Sequence, residues 1–154
     1  MSPLKPIKRD PALWPLSRHH HHALLLCWKI KTGFSRSIPA TRIKAYADWF
    51  YREHITGHFA LEEEYIFPVL GNQNKLVQQA LAEHQLLHSL FSDQSNHEHA
   101  LGQIKAELEK HIRFEERTLF NEIQLAVTPG QLAQISLVHM DEVFIDNVTD
   151  PFWV

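Results

Sequence analysis

The chain has little of several features that mark specialised protein classes. One of its 154 residues is a cysteine, Cys27, and five are glycines, which excludes a disulfide scaffold and a collagen-like repeat. The longest unbroken apolar stretch, Ala23 to Trp28, is far short of the roughly 20 residues of a membrane-spanning helix. With histidine neutral the formal charge is −3, which offers no general attraction for nucleic acid. We therefore expect neither a membrane nor a nucleic acid as partner. Because no secretory leader is recognisable, we also expect a cytoplasmic location.

Apolar residues recur at helical intervals along most of the chain, and no segment has the alternation typical of a strand. Prolines at positions 3, 6, 11 and 15 predict an irregular arm over residues 1–16. The periodicity predicts four long helices, at about 17–31, 39–70, 76–91 and 97–126. Gly33 is expected to end the first of them, and Pro129 predicts the start of a short additional helix.

Long helices joined by short turns favour one fold in particular. The sequence predicts a single all-α domain in which residues 17–126 form an antiparallel four-helix bundle of up-down-up-down topology. The irregular arm precedes this bundle, and residues 127–154 add the short helix and a tail.

The composition is unusual in its twelve histidines. Histidine is a mediocre helix former and is only intermediately buried, so packing does not explain the number. Three of the predicted helices carry two metal-capable residues four positions apart: His58 and Glu62, His84 and His88, and His111 and Glu115. Residues at this spacing share a helix face, and these faces are otherwise apolar. Because a buried, isolated carboxylate is costly, we expect the pairs to bind metal inside the bundle.

The first predicted helix contains the run His19 to His22. Successive helical residues point about 100° apart, so only one of the four can face a given interior site. We choose His20, because it continues the apolar stripe of Leu16 and Ala23. An affinity tag is the alternative interpretation of the run. Five histidines and two glutamates suit two adjacent ions of iron type better than one structural zinc, which takes four ligands.

Other residues leave alternatives open. His54, one turn before His58, is interpreted as an extra ligand, as a support for one, or as a surface residue. Glu116 replaces Glu115 as a ligand if the fourth helix is slightly rotated. His97 and His99 are expected to be solvated, and His139 is assigned no role. The competing interpretation of all three pairs is a metal-free bundle with hydrated surface groups.

Taken together, His20 and the segments His58–Glu63, His84–His88 and His111–Glu116 resemble the hemerythrin-like, or HHE cation-binding, domains. The similarity covers about residues 17–125. It implies a four-helix bundle around a non-haem di-iron centre, with two glutamates as bridges and five histidines as terminal ligands. The implied ligands are His20, His58, Glu62, His84, His88, His111 and Glu115.

The chain departs from the oxygen-carrying hemerythrins in one respect. Those proteins place an aspartate five residues after the histidine of the fourth helix, whereas here Glu115 stands at four and Glu116 at five. The spacing is more similar to that of intracellular hemerythrin-like domains, which are linked to sensing of iron or oxygen and to nitrosative stress.

Three functions are compatible with these residues. The first is a module in which reduced di-iron binds or senses O2 or NO beside Leu24, Phe59, Leu87 and Ile112. The second is a di-iron oxidase, peroxidase or NO-handling enzyme. The chain has no Glu-x-x-His pair, which oxygen-activating bundles generally use, so we favour the first. The third is an interaction bundle, stabilised by metal, that binds a protein partner or a second copy. Manganese or zinc could occupy the same ligands.

Overall fold

The computed structural model describes residues 7–138 and 143–154. Within these ranges the regular structure is helical throughout and contains no strand, which confirms the all-α prediction. Residues 1–6 of the predicted arm, and His139, lie outside the described residues. Among the helices of the described ranges, none is both long and apolar enough to cross a lipid bilayer.

Seven α-helices follow one another along the described chain. They are α1 (Trp14–Ser35), α2 (Ala40–Phe50), α3 (Thr56–Leu61), α4 (Lys75–Ser92), α5 (His97–Phe114), α6 (Phe120–Ala126) and α7 (Pro129–Val138). Pro129 begins α7, as predicted. A 3-10 turn, Pro11–Leu13, precedes α1.

Two of the predicted long helices are helical along their whole length, but they include turns that are wider than those of a regular α-helix. In the run 40–69, the π-helical turns Tyr51–Ile55 and Glu62–Ile66 flank α3, and the 3-10 turn Phe67–Val69 ends it. In the run 97–126, the π-helical turn Glu115–Leu119 joins α5 to α6. Such turns shift the register of the helix after them, and they are frequent at functional sites.

The first helix is longer than predicted at both ends. It begins at Trp14, within the predicted arm, because Asp10 caps the preceding 3-10 turn by accepting a hydrogen bond from the Ala12 N–H. It also continues through Gly33, which the sequence predicted as its end. A Cβ atom on Gly33 would lie 2.6 Å from Ile43 Cδ1, so this glycine lets α1 approach α2 closely.

The buried apolar side chains form two separate clusters. The first core contains Leu26, Ile30, Ile43, Phe50, Phe59, Leu87, Phe91, Ile104, Leu108 and Phe152, among others. The second core contains Leu13, Leu16, Ile66, Phe67, Val77, Ala80, Leu119, Phe120 and Ile123, among others. Four stretches of the chain contribute to both cores: α1 with its preceding turn, the run 40–69, α4, and the run 97–126.

The C-terminal tail packs on α1 and α2. Phe152 is buried in the first core, and Lys29 donates hydrogen bonds to Tyr46 Oη and to a carboxylate oxygen of Asp146. The Tyr46 hydroxyl donates to the other oxygen of Asp146. The tail therefore covers part of the helical surface.

Candidate metal centre

Six of the seven predicted ligands lie together in a layer between the two cores. In each of the four stretches a ligand stands where the chain passes from one core to the other. In α1, for example, His20 separates Leu16 of the second core from Ala23 of the first. The six are His20, His58, Glu62, His84, His111 and Glu115, and all are buried, with both glutamates 0% exposed.

These residues form two groups that share both carboxylates. One group is His20, His58, Glu62 and Glu115, and the other is Glu62, His84, His111 and Glu115. Within each group the candidate ligand atoms all lie within 4.8 Å of one another. Each group could hold a metal ion, and the shared glutamates would then lie between the two ions.

The histidines direct their Nε2 atoms at the glutamates. Nε2 of His58 and of His84 lie 3.3 and 3.2 Å from Glu62 Oε1. Nε2 of His20 and of His111 lie 3.0 and 3.2 Å from Glu115 Oε1. Each glutamate therefore faces one histidine of each group, which is the arrangement that a bridging carboxylate needs.

Several of these inward-facing atoms lack hydrogen bonds. The buried atoms without a partner among the described residues include both oxygens of Glu62, Oε2 of Glu115, and Nε2 of His58, His84 and His111. Burying polar atoms without a partner costs roughly 1–3 kcal/mol each. Imidazole nitrogens and carboxylate oxygens are ligands of iron, manganese and zinc, so the donor set fits metal ions.

Two of the histidines direct their other ring nitrogen at a carboxylate outside the groups. Nδ1 of His84 lies 2.9 Å from Glu63 Oε2, and Nδ1 of His111 lies 2.6 Å from Glu83 Oε1. Because an ionised carboxylate only accepts hydrogen bonds, Nδ1 donates here, so Nε2 is the nitrogen that has the lone pair whenever the ring is neutral. Metal-binding histidines are commonly oriented in this way.

The other two histidines have equivalent partners. Nδ1 of His20 lies 3.2 Å from Glu116 Oε1, so this ring also donates to a carboxylate. Nδ1 of His58 lies 2.9 Å from Nδ1 of His19, where one ring donates and the other accepts. All four Nδ1 atoms are therefore hydrogen-bonded outside the metal groups.

These four partners, which we call the partner ring, connect the helical stretches in a closed cycle. Each partner is the chain neighbour of a ligand, and each bonds the histidine of the following stretch. His19 of α1 contacts the run 40–69, Glu63 of that run contacts α4, Glu83 of α4 contacts the run 97–126, and Glu116 of that run contacts α1. Every ligand histidine is thus held by two stretches of the chain.

The two glutamates differ in their affinity for protons. Burial raises the pKa of Glu62 well above its usual value, and the charge of Glu115 adds to this effect. Burial alone would also raise the pKa of Glu115, but the charge of His111 holds it well below its usual range. Of the two carboxylates, Glu62 is therefore the one that holds a proton more readily when no metal is bound.

The histidines also divide into two kinds. Burial lowers the pKa of His58 well below its usual value, and burial lowers that of His84 as well. For His111, burial is outweighed by Glu115 and Glu83, which raise its pKa to about 9. Glu115 and Glu116 raise the pKa of His20 in the same way. Burial thus favours the neutral form of His58 and His84, whereas the neighbouring glutamates favour the protonated form of His111 and His20 when no cation is bound.

The structure does not bring His88 into the centre. Its side chain is exposed on α4, and its Nδ1 lies 2.6 Å from the Tyr51 hydroxyl. The structure therefore brings together four of the five predicted histidines. The structure also does not support the alternative in which Glu116 replaces Glu115. Glu115 is buried in the centre, whereas Glu116 forms a hydrogen bond with His20 from outside.

A cavity of about 240 Å³ lies beside the centre. It borders His20, His58 and His111 of the two groups, and His54 lies farther along its wall. Of the predicted pocket residues, Phe59 and Ile112 line this cavity. Leu24 is instead 42% exposed and Leu87 is buried in the first core. Phe144, from the tail, also borders the cavity, and no sequence pattern indicated it.

No bonding role was predicted for His19, Glu63 or Glu83, and Glu116 was predicted to bond only as a replacement for Glu115. Glu63 and Glu116 each directly follow a candidate ligand glutamate in the chain, which was a usable signal of their position beside the centre. No protein-family model, curated protein or solved structure matches the chain. The similarity to hemerythrin-like domains therefore stays a prediction that depends on these residues alone.

Proposed function

We propose that this protein is a hemerythrin-like, non-haem di-iron protein that binds or senses O2 or NO. The observation that supports this is the pair of buried groups sharing Glu62 and Glu115. Two histidines and both carboxylates would hold each ion. Four ligands from the chain would leave an iron ion with positions to spare, and in its reduced form the ion would supply the binding of a diatomic molecule.

The directions of the helical stretches support an antiparallel four-helix bundle. Along the chain, α1 passes from the second core to the first, and the run 40–69 passes from the first core to the second. The stretch α4 then passes from second to first, and the run 97–126 from first to second. Alternation of this kind is what an up-down-up-down bundle requires.

The chain's own residues would set the properties of the bound ions. The partner ring orients the imidazoles, and the two cores exclude water from above and below the centre. The cavity reaches the group of His20 and His58 as well as His111 of the other group, so an external ligand would approach from that side.

The size of the cavity favours a second candidate function. A volume of about 240 Å³ exceeds what a diatomic ligand fills, which is compatible with a di-iron oxidase, peroxidase or NO-handling enzyme that also holds an organic molecule. Sustained consumption of peroxide or NO by the iron-loaded protein would favour this candidate. A stable spectroscopic adduct without turnover would favour binding or sensing.

Metal analysis of anaerobically purified protein tests the proposal. We expect about two iron ions per chain, and a visible spectrum that changes when O2 or NO is added. His84→Ala should lower the metal content well below that of the unmodified chain. The matched control is His88→Ala, on the same helix, because His88 is exposed and outside both groups.

Two results from this pair of variants would contradict the proposed centre. Full metal content in His84→Ala would contradict the assignment of the second group. Equal loss of metal in His88→Ala would contradict a centre that has four histidines and excludes His88. Two bound ions whose spectrum responds to neither gas, combined with lower stability after metal removal, would instead favour a metal-stabilised interaction bundle.

A further inference from the structure

The cavity beside the metal centre has room for a molecule much larger than O2 or NO. Its volume is about 240 Å³. A water molecule in the liquid occupies about 30 Å³, and an apolar cavity of about 150 Å³ is sufficient to bind benzene. One six-membered ring with a substituent therefore fits the available space.

Flat rings form much of the cavity wall. The rings of His22 and Phe144 stack with centroids 4.1 Å apart and planes 15° apart. The ring of His54 lies 4.8 Å from that of Phe144, and Phe50 and Phe59 also border the cavity. Aromatic side chains interact favourably with other aromatic rings by stacking or by edge-to-face contact, so this wall favours a planar ligand.

The inner end of the cavity is polar, because it is formed by ligand histidines. His20, His58 and His111 border it, whereas Glu62 and Glu115 do not. Two divalent ions held by two carboxylates retain a positive charge, and in buried surroundings that charge favours an anionic oxygen donor. The aromatic wall therefore favours the ring of a ligand, and the polar inner end favours its anionic group.

We propose that the cavity binds a single-ring aromatic anion, a benzoate- or phenolate-like molecule. Its ring lies among Phe50, Phe59 and Phe144, and its oxygen points at the metal group of His20 and His58. This inference rests on the proposed metal centre, and it names the class of organic ligand that the centre accepts.

Gly57 is a position at which a side chain can be added at the edge of the cavity. It borders the cavity from α3, and a Cβ atom built on it meets no other atom within 4 Å. Gly102 on α5 is a matched control, because it is also an exposed helical glycine with open space around its Cβ position, and it does not border the cavity. The variants are Gly57→Phe and Gly102→Phe.

The experiment measures benzoate binding to the iron-loaded protein by calorimetry, with metal content determined on the same samples. We expect benzoate to bind at least tenfold more tightly than acetate, which has the carboxylate but no ring. Gly57→Phe should weaken benzoate binding at least tenfold, whereas Gly102→Phe should leave it unchanged. The comparison with acetate uses the unmodified chain, so it does not depend on how either variant folds.

The outcomes separate this inference from the proposed function. With two ions bound, equal affinities for acetate and benzoate, or no measurable binding of either, would overturn the aromatic ligand and leave the metal centre intact. Unchanged benzoate binding in Gly57→Phe would overturn the location. Absence of bound metal from the unmodified chain would contradict the proposed function and, with it, this inference.

Discussion

The members of the partner ring differ in how well they are shielded from water. The side chain of Glu83 is 16% exposed and lies 2.6 Å from His111, whereas that of Glu63 is 46% exposed and lies 2.9 Å from His84. A hydrogen bond from a ring N–H to a carboxylate is stronger where water competes less. Glu83 should therefore contribute more than Glu63 to the orientation of its histidine.

We expect Glu83→Ala to weaken metal binding about 10- to 100-fold, which is the usual effect of removing the partner of a metal-binding histidine. His111 would lose the acceptor that fixes its ring. The measurement is a competition titration against a chelator of known affinity. Glu64→Ala is the control, because Glu64 is an exposed neighbour of Glu63 and belongs to neither metal group. Equal metal affinity in Glu83→Ala and the unmodified chain would contradict a role for the partner ring.

Six of the seven ligands predicted from the sequence lie in the centre, because each of the six is on an apolar helical face. His88 lies outside the centre because of the direction in which α4 runs. In the runs 40–69 and 97–126, a step of four residues from the histidine leads toward the second core and reaches the glutamate within the layer. In α4 the same step leads toward the first core, and His88 leaves the layer. The spacing of residues along one helix does not show in which direction that helix runs between the two cores.

At the scale of helical elements, the two π-helical turns after the ligands explain a regular feature of the sequence. His58, Glu62 and Ile66 are each four residues apart, as are His111, Glu115 and Leu119. In a regular α-helix each such step advances by about 40° beyond a full turn, so the third residue would leave the common face. The wider turns reduce this drift. Hydrophobic periodicity alone predicted regular helices here.

The role of Gly33 in helix packing is a second feature that the sequence did not reveal. A glycine near the expected end of a helix usually indicates its C-terminus, which is why the sequence predicted an end there. In the structure the reason for the glycine is a contact between helices, α1 against Ile43 of α2. A contact of this kind depends on residues that are distant in the chain, so no local pattern contains it.

We expect Gly33→Ala to lower the free energy of unfolding by about 1 kcal/mol. Overpacking against the buried Ile43 costs about 1–3 kcal/mol, and the better helix propensity of alanine offsets about 1 kcal/mol of it. Gly102→Ala should instead raise the free energy of unfolding by about 0.5–1 kcal/mol, since its Cβ position is open. Urea denaturation of both variants measures the difference. Stabilisation by Gly33→Ala would contradict the close packing of α1 on α2.

At the scale of the whole molecule, the tail links the fold to the centre. Phe152 extends the first core, and Phe144 forms a wall of the cavity by stacking on His22. The sequence predicted only a short helix and a tail after residue 126. Its docking depends on Asp146, which bonds Lys29 and Tyr46 from two other elements. A pattern confined to the tail could not reveal such partners.

The buried polar layer between the two cores affects the stability of the folded protein. Without metal, inward-facing atoms of Glu62, Glu115 and three histidines lack hydrogen-bond partners in the described part of the chain. The layer then lowers stability, and bound metal should reverse this. At a free metal concentration 100 times the dissociation constant, binding to the folded state alone adds about 2.7 kcal/mol per site.

Glu62→Leu tests this balance, because leucine fills a similar volume without a polar group. Replacing buried charged groups by apolar ones is often neutral or stabilising by about 1–4 kcal/mol. We therefore expect the variant without metal to be at least as stable as the chelator-treated unmodified chain, and added iron to raise its stability much less. Thermal unfolding with and without chelator measures both effects. If the metal-free variant is instead several kcal/mol less stable, the polar layer itself holds the two cores together, and metal binding is not the reason for its burial.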